Sequence, residues 1–525
     1  MRKSVHFISN RLNSQKWFVA EQVSISKVGF LSNQYHRLIA GLIFLALVPT
    51  AVLIQGCGGS APMAGTQTKP ATPTATLAPS SASIQEWQSV QFTVSGEAAG
   101  EQCTWQSSQP SILVSLGSGQ FQGAQSGTAQ VTVTCGSTSS SASVVVSPQQ
   151  AAAPIEITSG GTYSGNWNST DPSTPAVKIR TDQPVILQDS VISGPGTLID
   201  LSGVSSGANV TIQNVTGTAL DPGVSGEQRG SFLTATKVEA LTVKNCTIVG
   251  ASFGVKLAGA TPSTLEITNN QASNLEDRAS DGRGGFLPNR PSLGHFIILN
   301  NVLAPNGAEI AWNQDVQTIG QSSTEDVVNI YNSQGVAGHP IWVHDNYFEG
   351  SSSPVIKGHY TGTAMVTDGT GTNGAEPTAF VHFEANEVVA TAGTGVGIAA
   401  GHDITADANR IVSCGVTGSG DWYAWGANGI VIWNYYNSTQ FYNNTITGTV
   451  GGMVGPGTND APTAFDVWAN PPDMLDPGNS VSGNDFTNPC LTNGSINLQA
   501  EDAERAFWAA KILAANEVIG DQHLN

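Results

Sequence analysis

Charged side chains are scarce in this sequence, and basic ones are the scarcest. Only 11% of the 525 residues are charged, and 20 Lys and Arg face 39 Asp and Glu, which gives a formal net charge of −19. Such a surface repels nucleic acid and anionic membranes, so neither is expected as a partner. A polyanionic sugar would need a local basic cluster or a bridging cation. The 59 glycines favour short strands and tight turns over long helices.

Long hydrophobic runs are also missing, except for one near the N-terminus. The run 38–54 is short for a membrane-spanning helix and contains Pro49. It ends in Ile-Gln-Gly-Cys, which resembles the lipobox of bacterial lipoproteins, where the cysteine is acylated. We therefore expect 1–56 to be a lipoprotein signal peptide and Cys57 to be the lipidation site. The protein would be exported, and its lipid would hold it on the outer surface or periplasmic side of the bacterial envelope. A plain secretory signal or an anchor helix is the alternative.

Residues 57–80 are rich in Thr, Pro and Ala and lack periodicity, which predicts a flexible linker. Residues 81–148 then alternate apolar and polar positions in short runs, a pattern typical of a β-sandwich. Within them, CTWQSSQPSILVS and GTAQVTVTCG resemble segments of bacterial immunoglobulin-like domains of cell-surface proteins. The resemblance implies a spacer or adhesive module. It also leads us to expect Trp105 in the core and a disulfide between Cys103 and Cys135.

A different pattern runs from Pro154 to about Leu498, where strand-like apolar runs repeatedly end at one polar position. The segments are VTIQNV, LTVKNC, LEITNN, FIILNN, IWVHDN, VHFEAN, ITADAN and TQFYNN. Their sixth residues are Val215, Cys246, Asn270, Asn301, Asn346, Asn386, Asn409 and Asn444. A fixed signature at irregular spacing is typical of a solenoid with insertions on one side.

A right-handed parallel β-helix explains this repeat. Coils stack at about 4.8 Å, so equivalent residues form columns, and an inward Asn can bond the backbone groups that a tight bend leaves unpaired. We therefore predict an all-β fold: a β-helix over 154–498, the sandwich before it, and a C-terminal capping helix and tail at 499–525 that lie against the last coils. Asn301, Asn346, Asn386 and Asn409 are expected to share one inward column.

The repeat region resembles exported right-handed parallel β-helix proteins of the pectate-lyase-like superfamily. The resemblance includes the segments SGGTYSGNW, AEIAWN, STEDVVNIYNS, HYTGTAMVTDG, GVGIAAGHD and ANGIVIWN. It implies a polysaccharide lyase, hydrolase or epimerase, or a non-catalytic adhesin. The paired-aspartate, G-H-G and D-P-H-D motifs of enzyme groups in this superfamily are missing, so the sequence does not decide whether the protein is an enzyme.

Three segments, DVVNIYNS, GVGIAAG and GIVIWN, are expected to stack as one parallel sheet with a polar groove along it. The candidate catalytic residues are Glu325, Asp326, Asp368, His402 and Lys357. The candidate substrate-binding residues are the aromatics Tyr360, Trp422, Trp425, Trp433 and Tyr435. The simpler alternatives are that the acidic side chains bond turn amides and that half of the aromatics pack in the core.

The functional expectation is a surface-anchored protein that binds a polysaccharide, with cleavage in a lyase-like or hydrolase-like reaction left open. The alternative is a non-catalytic adhesin or scaffold. Calcium is left open as a cofactor because carboxylates are available, but no metal ligand is assigned. The sequence also leaves open the glycan, the bond, the oligomeric state and any pairing of Cys414 with Cys490.

Overall fold

The computed structural model describes residues 75–86, 88–96, 103–287, 294–319, 322–352, 361–369, 377–423, 428–457, 460–469 and 473–521. The predicted signal peptide, Cys57 and the predicted linker as far as residue 74 lie outside these ranges. No helix among the described residues is long and apolar enough to cross a membrane.

Among the described residues, nine strands form the region that the sequence predicts to be a sandwich. They are β1 (Thr76–Ala78), β2 (Ser81–Gln85), β3 (Ser89–Gln91), β4 (Thr93–Ser95), β5 (Cys103–Ser107), β6 (Leu113–Gly117), β7 (Gln120–Gly123), β8 (Gly127–Cys135) and β9 (Thr138–Ser147). One sheet has the order β2-β9-β8-β5 and another the order β3-β7-β6, while β1 pairs with β4. Trp105 packs against their shared apolar core, which includes Phe121. Cys103 lies opposite Cys135, and the two form a disulfide.

The following strands are short and numerous. The first are β10 (Ile155–Ile157), β11 (Gly161–Tyr163), β12 (Asn166–Asn168), β13 (Val177–Ile179), β14 (Val185–Gly194), β15 (Ile199–Asp200), β16 (Ala208–Ala219), β17 (Leu233–Thr236), β18 (Val238–Lys244), β19 (Thr247–Val249), β20 (Phe253–Ala258), β21 (Thr264–Thr268), β22 (Gln271–Ser273), β23 (His295–Asn300), β24 (Ala308–Ala311) and β25 (Gln314–Val316). The rest are β26 (Asp326–Tyr331), β27 (Ile341–His344), β28 (Tyr347–Glu349), β29 (Thr363–Asp368), β30 (Ala379–Glu384), β31 (Glu387–Val389), β32 (Val396–Ile398), β33 (His402–Asp407), β34 (Arg410–Ser413), β35 (Ile430–Ile432), β36 (Thr445–Thr447), β37 (Val450–Pro456), β38 (Pro462–Ala464), β39 (Val467–Ala469), β40 (Ser480–Ser482), β41 (Leu491–Thr492) and β42 (Ser495–Ile496).

The strands form the predicted parallel β-helix. Over the described residues, one sheet has 11 strands in the order β10-β13-β15-β17-β20-β23-β26-β29-β32-β35-β39, and another has 20. A coil in the middle of the stack gives one strand to the 11-stranded sheet and two to the 20-stranded sheet, as β26, β27 and β28 do. Inward residues such as Val328, Ile330 and Phe348 are fully buried and belong to one continuous apolar core. The three predicted segments supply β26, β32 and β35, so they do stack in one sheet.

A column of buried asparagines marks the bend between the two strands that each coil gives to the 20-stranded sheet. Its members are Asn270, Asn313, Asn346, Asn386 and Asn409, each 0% exposed. The Oδ1 atom of Asn346 accepts bonds from the backbone N–H (2.9 Å) and Nδ2 (3.0 Å) of Asn313. Its Nδ2 atom donates to the carbonyl of Ile310 at 2.9 Å. The column therefore satisfies backbone groups that the bend leaves unpaired.

The prediction for Asn301 was wrong. FIILNN ends β23, which belongs to the 11-stranded sheet, and Asn301 is an exposed residue with φ 54°. The inward position at this bend is the next residue, Val302, whose N–H donates to Ser333 Oγ at 2.9 Å. Asn444 is buried but belongs to another bend, because its Oδ1 accepts from Ile404 N–H and Thr449 holds the position that follows Asn409. Asn313, in AEIAWN, is the column member that the repeat pattern missed.

The C-terminal helix α1 (Gln499–Ala515) begins against the last coils, where Ala500 packs with Val454, and then lies along the side of the stack. Its Glu504 pairs with Arg410 of β34 at 2.7 Å, and Trp508 stacks on Tyr347 of β28 with ring centroids 5.3 Å apart. Beyond the helix, Asp521 accepts a hydrogen bond from Thr216 of β16. The segment thus runs backwards across many coils and covers part of the 20-stranded sheet, because its apolar and charged side chains find matching partners there.

The remaining described cysteines have separate roles. Cys414 and Cys490 form a disulfide that ties the start of the C-terminal segment to the stack. Cys246 is a buried free thiol at the bend position that precedes Asn270 in the column. Burial raises the pKa of this thiol, so Cys246 is an unreactive core residue.

Candidate functional site

A group of polar side chains is buried on the outer face of the 11-stranded sheet. We call Glu325, Asp326, Asp368, His295 and Asn329 the acidic cluster. Register brings them together, because His295 of β23 pairs with Asp326 of β26 and Tyr331 of β26 pairs with Asp368 of β29. His295, Asp326 and Asn329 are only 2–4% exposed. Polar side chains this deeply buried outside the core need a specific reason.

Hydrogen bonds fix the geometry of the acidic cluster. Asn329 Nδ2 donates to Asp326 Oδ2 at 2.8 Å. His295 Nδ1 lies 3.0 Å from the carbonyl oxygen of Asp326, and because a carbonyl only accepts, Nδ1 carries the proton. Asp368 Oδ1 accepts from the hydroxyl of Tyr436 at 2.5 Å and from Gly369 N–H at 2.7 Å. The cluster therefore holds its acidic groups in fixed positions.

Burial and like charge shift the ionisation of the cluster. The pKa of Glu325 is raised well above its ordinary value, first by burial and then by the charges of Asp326, Asp368 and Asp277. Burial also raises the pKa of Asp368, although the hydroxyl of Tyr436 opposes this shift. The pKa of His295 falls to about 4 because burial disfavours its charged form. Perturbed groups of this kind concentrate at functional sites.

Aromatic side chains adjoin the acidic cluster a few coils further along the stack. We call Trp433, Tyr435, Tyr436 and Trp468 the aromatic cluster. Trp433 contacts Tyr435 (ring centroids 4.7 Å apart) and Trp468 (5.0 Å). Tyr435 is 47% and Trp468 43% exposed. The hydroxyl of Tyr436 bonds Asp368, so the aromatic and acidic clusters form one continuous surface.

Other predicted site residues lie elsewhere. His402 begins β33 of the 20-stranded sheet, where it stacks on Tyr442 with ring centroids 4.6 Å apart and bonds Asp403 at 2.7 Å. Trp422 packs into an apolar group beside the Cys414–Cys490 disulfide. Neither is brought to the acidic cluster by a contact that the structure shows. Lys357, Tyr360 and Trp425 lie outside the described residues.

Sequence reasoning missed His295, Asn329 and Trp468. His295 opens HFIILN and Asn329 lies within DVVNIY, so both look like ordinary strand residues. A register that paired HFIILN with DVVNIY would have placed His295 beside Asp326. The repeat pattern does not reveal this register, because it places FIILNN in the asparagine column of the other sheet.

The donor atoms in the cluster suit either proton transfer or metal binding. His295, Glu325 and Asp326 each offer a ligand atom, and these atoms lie within 4.8 Å of one another. A second such group contains Cys414, Cys490 and Glu501, but its two cysteines form a disulfide and therefore offer no thiolate.

Comparisons of the chain with protein-family models and with curated proteins find no match.

Proposed function

We propose that this protein binds a polysaccharide along the outer face of the 11-stranded sheet and hydrolyses it at the acidic cluster. The observation that carries the proposal is the hydrogen bond from Tyr436 to Asp368, which joins exposed aromatic rings to buried carboxyl groups. Aromatic faces supply apolar area for sugar rings, and carboxyl groups supply hydrogen bonds and acid–base chemistry.

Hydrolysis is the cleavage chemistry that these side chains favour. Glycosidic hydrolysis needs two carboxyl groups, one to protonate the leaving oxygen and one to activate water or attack the sugar. Elimination at a uronate needs positive charge beside the substrate carboxylate. The charge of Lys256 does act on the cluster, because it adds to burial in lowering the pKa of His295. Among the described residues of the cluster, carboxyl groups outnumber cations, which supports a neutral glycan.

The proposal includes the location. A lipid on Cys57 would tether the chain to the bacterial envelope, and the sandwich would act as a spacer that carries the β-helix away from the membrane. Cys57→Ser should release the protein into the soluble fraction and abolish incorporation of labelled fatty acid. Equal membrane association of the variant would contradict this part of the proposal.

Binding is tested with a glycan array and with pull-down on insoluble polysaccharides. Trp433→Ala and Tyr435→Ala should each weaken binding about tenfold or more, equivalent to about 1.4 kcal/mol. Trp342→Ala is the matched control, because Trp342 is 39% exposed but belongs to β27 of the other sheet. Equal losses in all three variants would show that the glycan does not bind at the aromatic cluster.

Cleavage is tested separately on the glycan that binds best. New reducing ends without ultraviolet absorbance from an unsaturated uronate indicate hydrolysis, and Asp368→Asn should reduce that rate at least a hundredfold. Absorbance from unsaturated product would indicate a lyase. Binding without turnover in the wild type would leave the adhesin as the function.

A further inference from the structure

We infer that His295, Glu325 and Asp326 form a binding site for a divalent first-row transition-metal ion, with the amide oxygen of Asn329 as a further ligand. His295 lies in β23, Asp326 begins the neighbouring strand β26, and Glu325 immediately precedes it. The inference rests on their donor atoms and burial, and it does not depend on the glycan proposal.

The protonation of His295 prepares it to bind a cation. Its Nδ1 proton is used by the carbonyl of Asp326, so the lone pair of the neutral ring is on Nε2. A hydrogen bond from the second ring nitrogen to a carbonyl is the usual way in which proteins orient a metal-binding histidine. Nε2 lies 3.9 Å from Glu325 Oε2, too far for a hydrogen bond. His295 Nε2 and Glu325 Oε2 therefore face each other across a gap without a hydrogen bond.

The size of that gap suits a metal ion. Ligand atoms that bind one ion at about 2.1 Å lie roughly 3.0–3.5 Å apart. The Glu325 side chain is 27% exposed, so a rotamer adjustment of less than about 1 Å would close the site. Asp326 Oδ2 lies 3.8 Å from Nδ1 of the same imidazole, and the candidate ligand atoms of the three residues lie within 4.8 Å of one another.

Asn329 provides an independent indication of a missing ligand. The residue is 4% exposed, and its Oδ1 is buried without a hydrogen-bond donor among the described residues. Its Nδ2 is bonded to Asp326 Oδ2, which keeps the amide beside the carboxylates. A buried amide oxygen without a partner is costly. A bound cation would remove that cost.

The donor set indicates the class of ion. An imidazole nitrogen with two carboxylates suits Zn²⁺, Mn²⁺ or Fe²⁺, whereas Ca²⁺ and Mg²⁺ prefer oxygen ligands alone. Three or four protein ligands would leave room for water on the ion, and a bound metal makes such water more acidic.

The first experiment measures binding of Mn²⁺ to the full chain after dialysis against a chelator. Mn²⁺ is the primary probe because thiols bind it weakly, and its free signal in electron paramagnetic resonance disappears on binding. We expect one ion per chain, competition by Zn²⁺, and at least tenfold weaker competition by Ca²⁺. Absence of binding, or tighter binding of Ca²⁺ than of Zn²⁺, would overturn the inference.

Variants then assign the site. His295→Asn keeps a donor near the Nδ1 position while it removes Nε2, and Glu325→Gln keeps the side-chain volume. Each should weaken Mn²⁺ binding tenfold to a hundredfold with unchanged circular dichroism. His344→Asn is the control, because His344 Nε2 also faces a carboxylate, Glu309 Oε1 at 3.5 Å, on the other sheet. Retained affinity in both test variants, or equal loss in the control, would contradict the assignment.

The two proposals fail separately. Mn²⁺ binding is measured without glycan, and glycan binding by the aromatic cluster is measured in the presence of chelator. Loss of metal binding in Glu325→Gln with intact glycan binding supports both proposals. Metal binding in a protein that binds no glycan supports the metal site alone.

Discussion

Asparagines are buried at two places in the stack, and the two places differ in how completely the side chains are hydrogen-bonded. Inside the coils, Asn346 bonds Asn313, Asn386 and the carbonyl of Ile310. On the outer face of the 11-stranded sheet, Asn329 uses its Nδ2, while its Oδ1 lacks a donor among the described residues. A buried polar group that is fully bonded stabilises the fold. A buried polar group that lacks a hydrogen-bond partner and lies beside several carboxyl groups indicates a place for a ligand.

Among the substitutions that test this comparison, Asn346→Leu should have the largest effect on stability. It leaves several buried backbone groups at the bend without partners and adds volume to a packed position, so we expect the free energy of unfolding to fall by about 3–5 kcal/mol. Urea denaturation monitored by circular dichroism measures the loss. Asn301→Leu is the control that separates the two asparagines. This substitution should lower the free energy of unfolding by only about 1 kcal/mol, because leucine is less favourable than asparagine in a left-handed backbone conformation and the site is exposed.

A carboxyl group inside the coils gives the next largest effect. Asp315 is fully buried, and burial raises its pKa to about 7. The folded protein thus keeps a proton that the unfolded chain releases near pH 4, so the stability from Asp315 is present below about pH 4 and is lost as the pH rises to 7. A pKa difference of about three units corresponds to a loss on the order of 4 kcal/mol.

Asp315→Asn should flatten this dependence and make the protein more stable than the wild type at pH 8. Denaturation curves at several pH values between 4 and 8 measure it. Asp200→Asn is the comparison of opposite sign, because the pKa of Asp200 is lowered by its bonds to Ser202 and Arg180 against the effect of burial. A wild type whose stability does not fall over this range would show that Asp315 ionises freely.

The smallest effect on stability should come from Asn329→Leu, the same substitution on the outer face. Asn329 lies between Ile298 and Val366 in the sheet register, so a leucine continues an apolar row. We expect a change of about 1 kcal/mol in unfolding free energy, together with a clear loss of Mn²⁺ affinity. A destabilisation as large as that of Asn346→Leu would remove the distinction between the two sites.

The local sequence pattern predicts most of the coils correctly, but it fails where two bends have similar sequences. LEITNN and FIILNN both place an apolar strand before two asparagines. In the first, Asn269 has φ 58° and Asn270 points inward. In the second, Asn300 is still part of the strand, Asn301 has φ 54°, and Val302 takes the inward position. A slip of one residue reverses the side that a residue faces, and nothing in six letters reveals it.

The sequence by itself determined the all-β class, the stacked coils, and the asparagine column at Asn270, Asn346, Asn386 and Asn409, because alternation and a bend signature are local properties. It also selected Glu325, Asp326 and Asp368 as site candidates. Only the tertiary structure brought His295, Asn329 and Tyr436 to them. Those contacts depend on how many residues each coil inserts before its next strand, a quantity that is fixed when the coils pack and has no signature within any one strand.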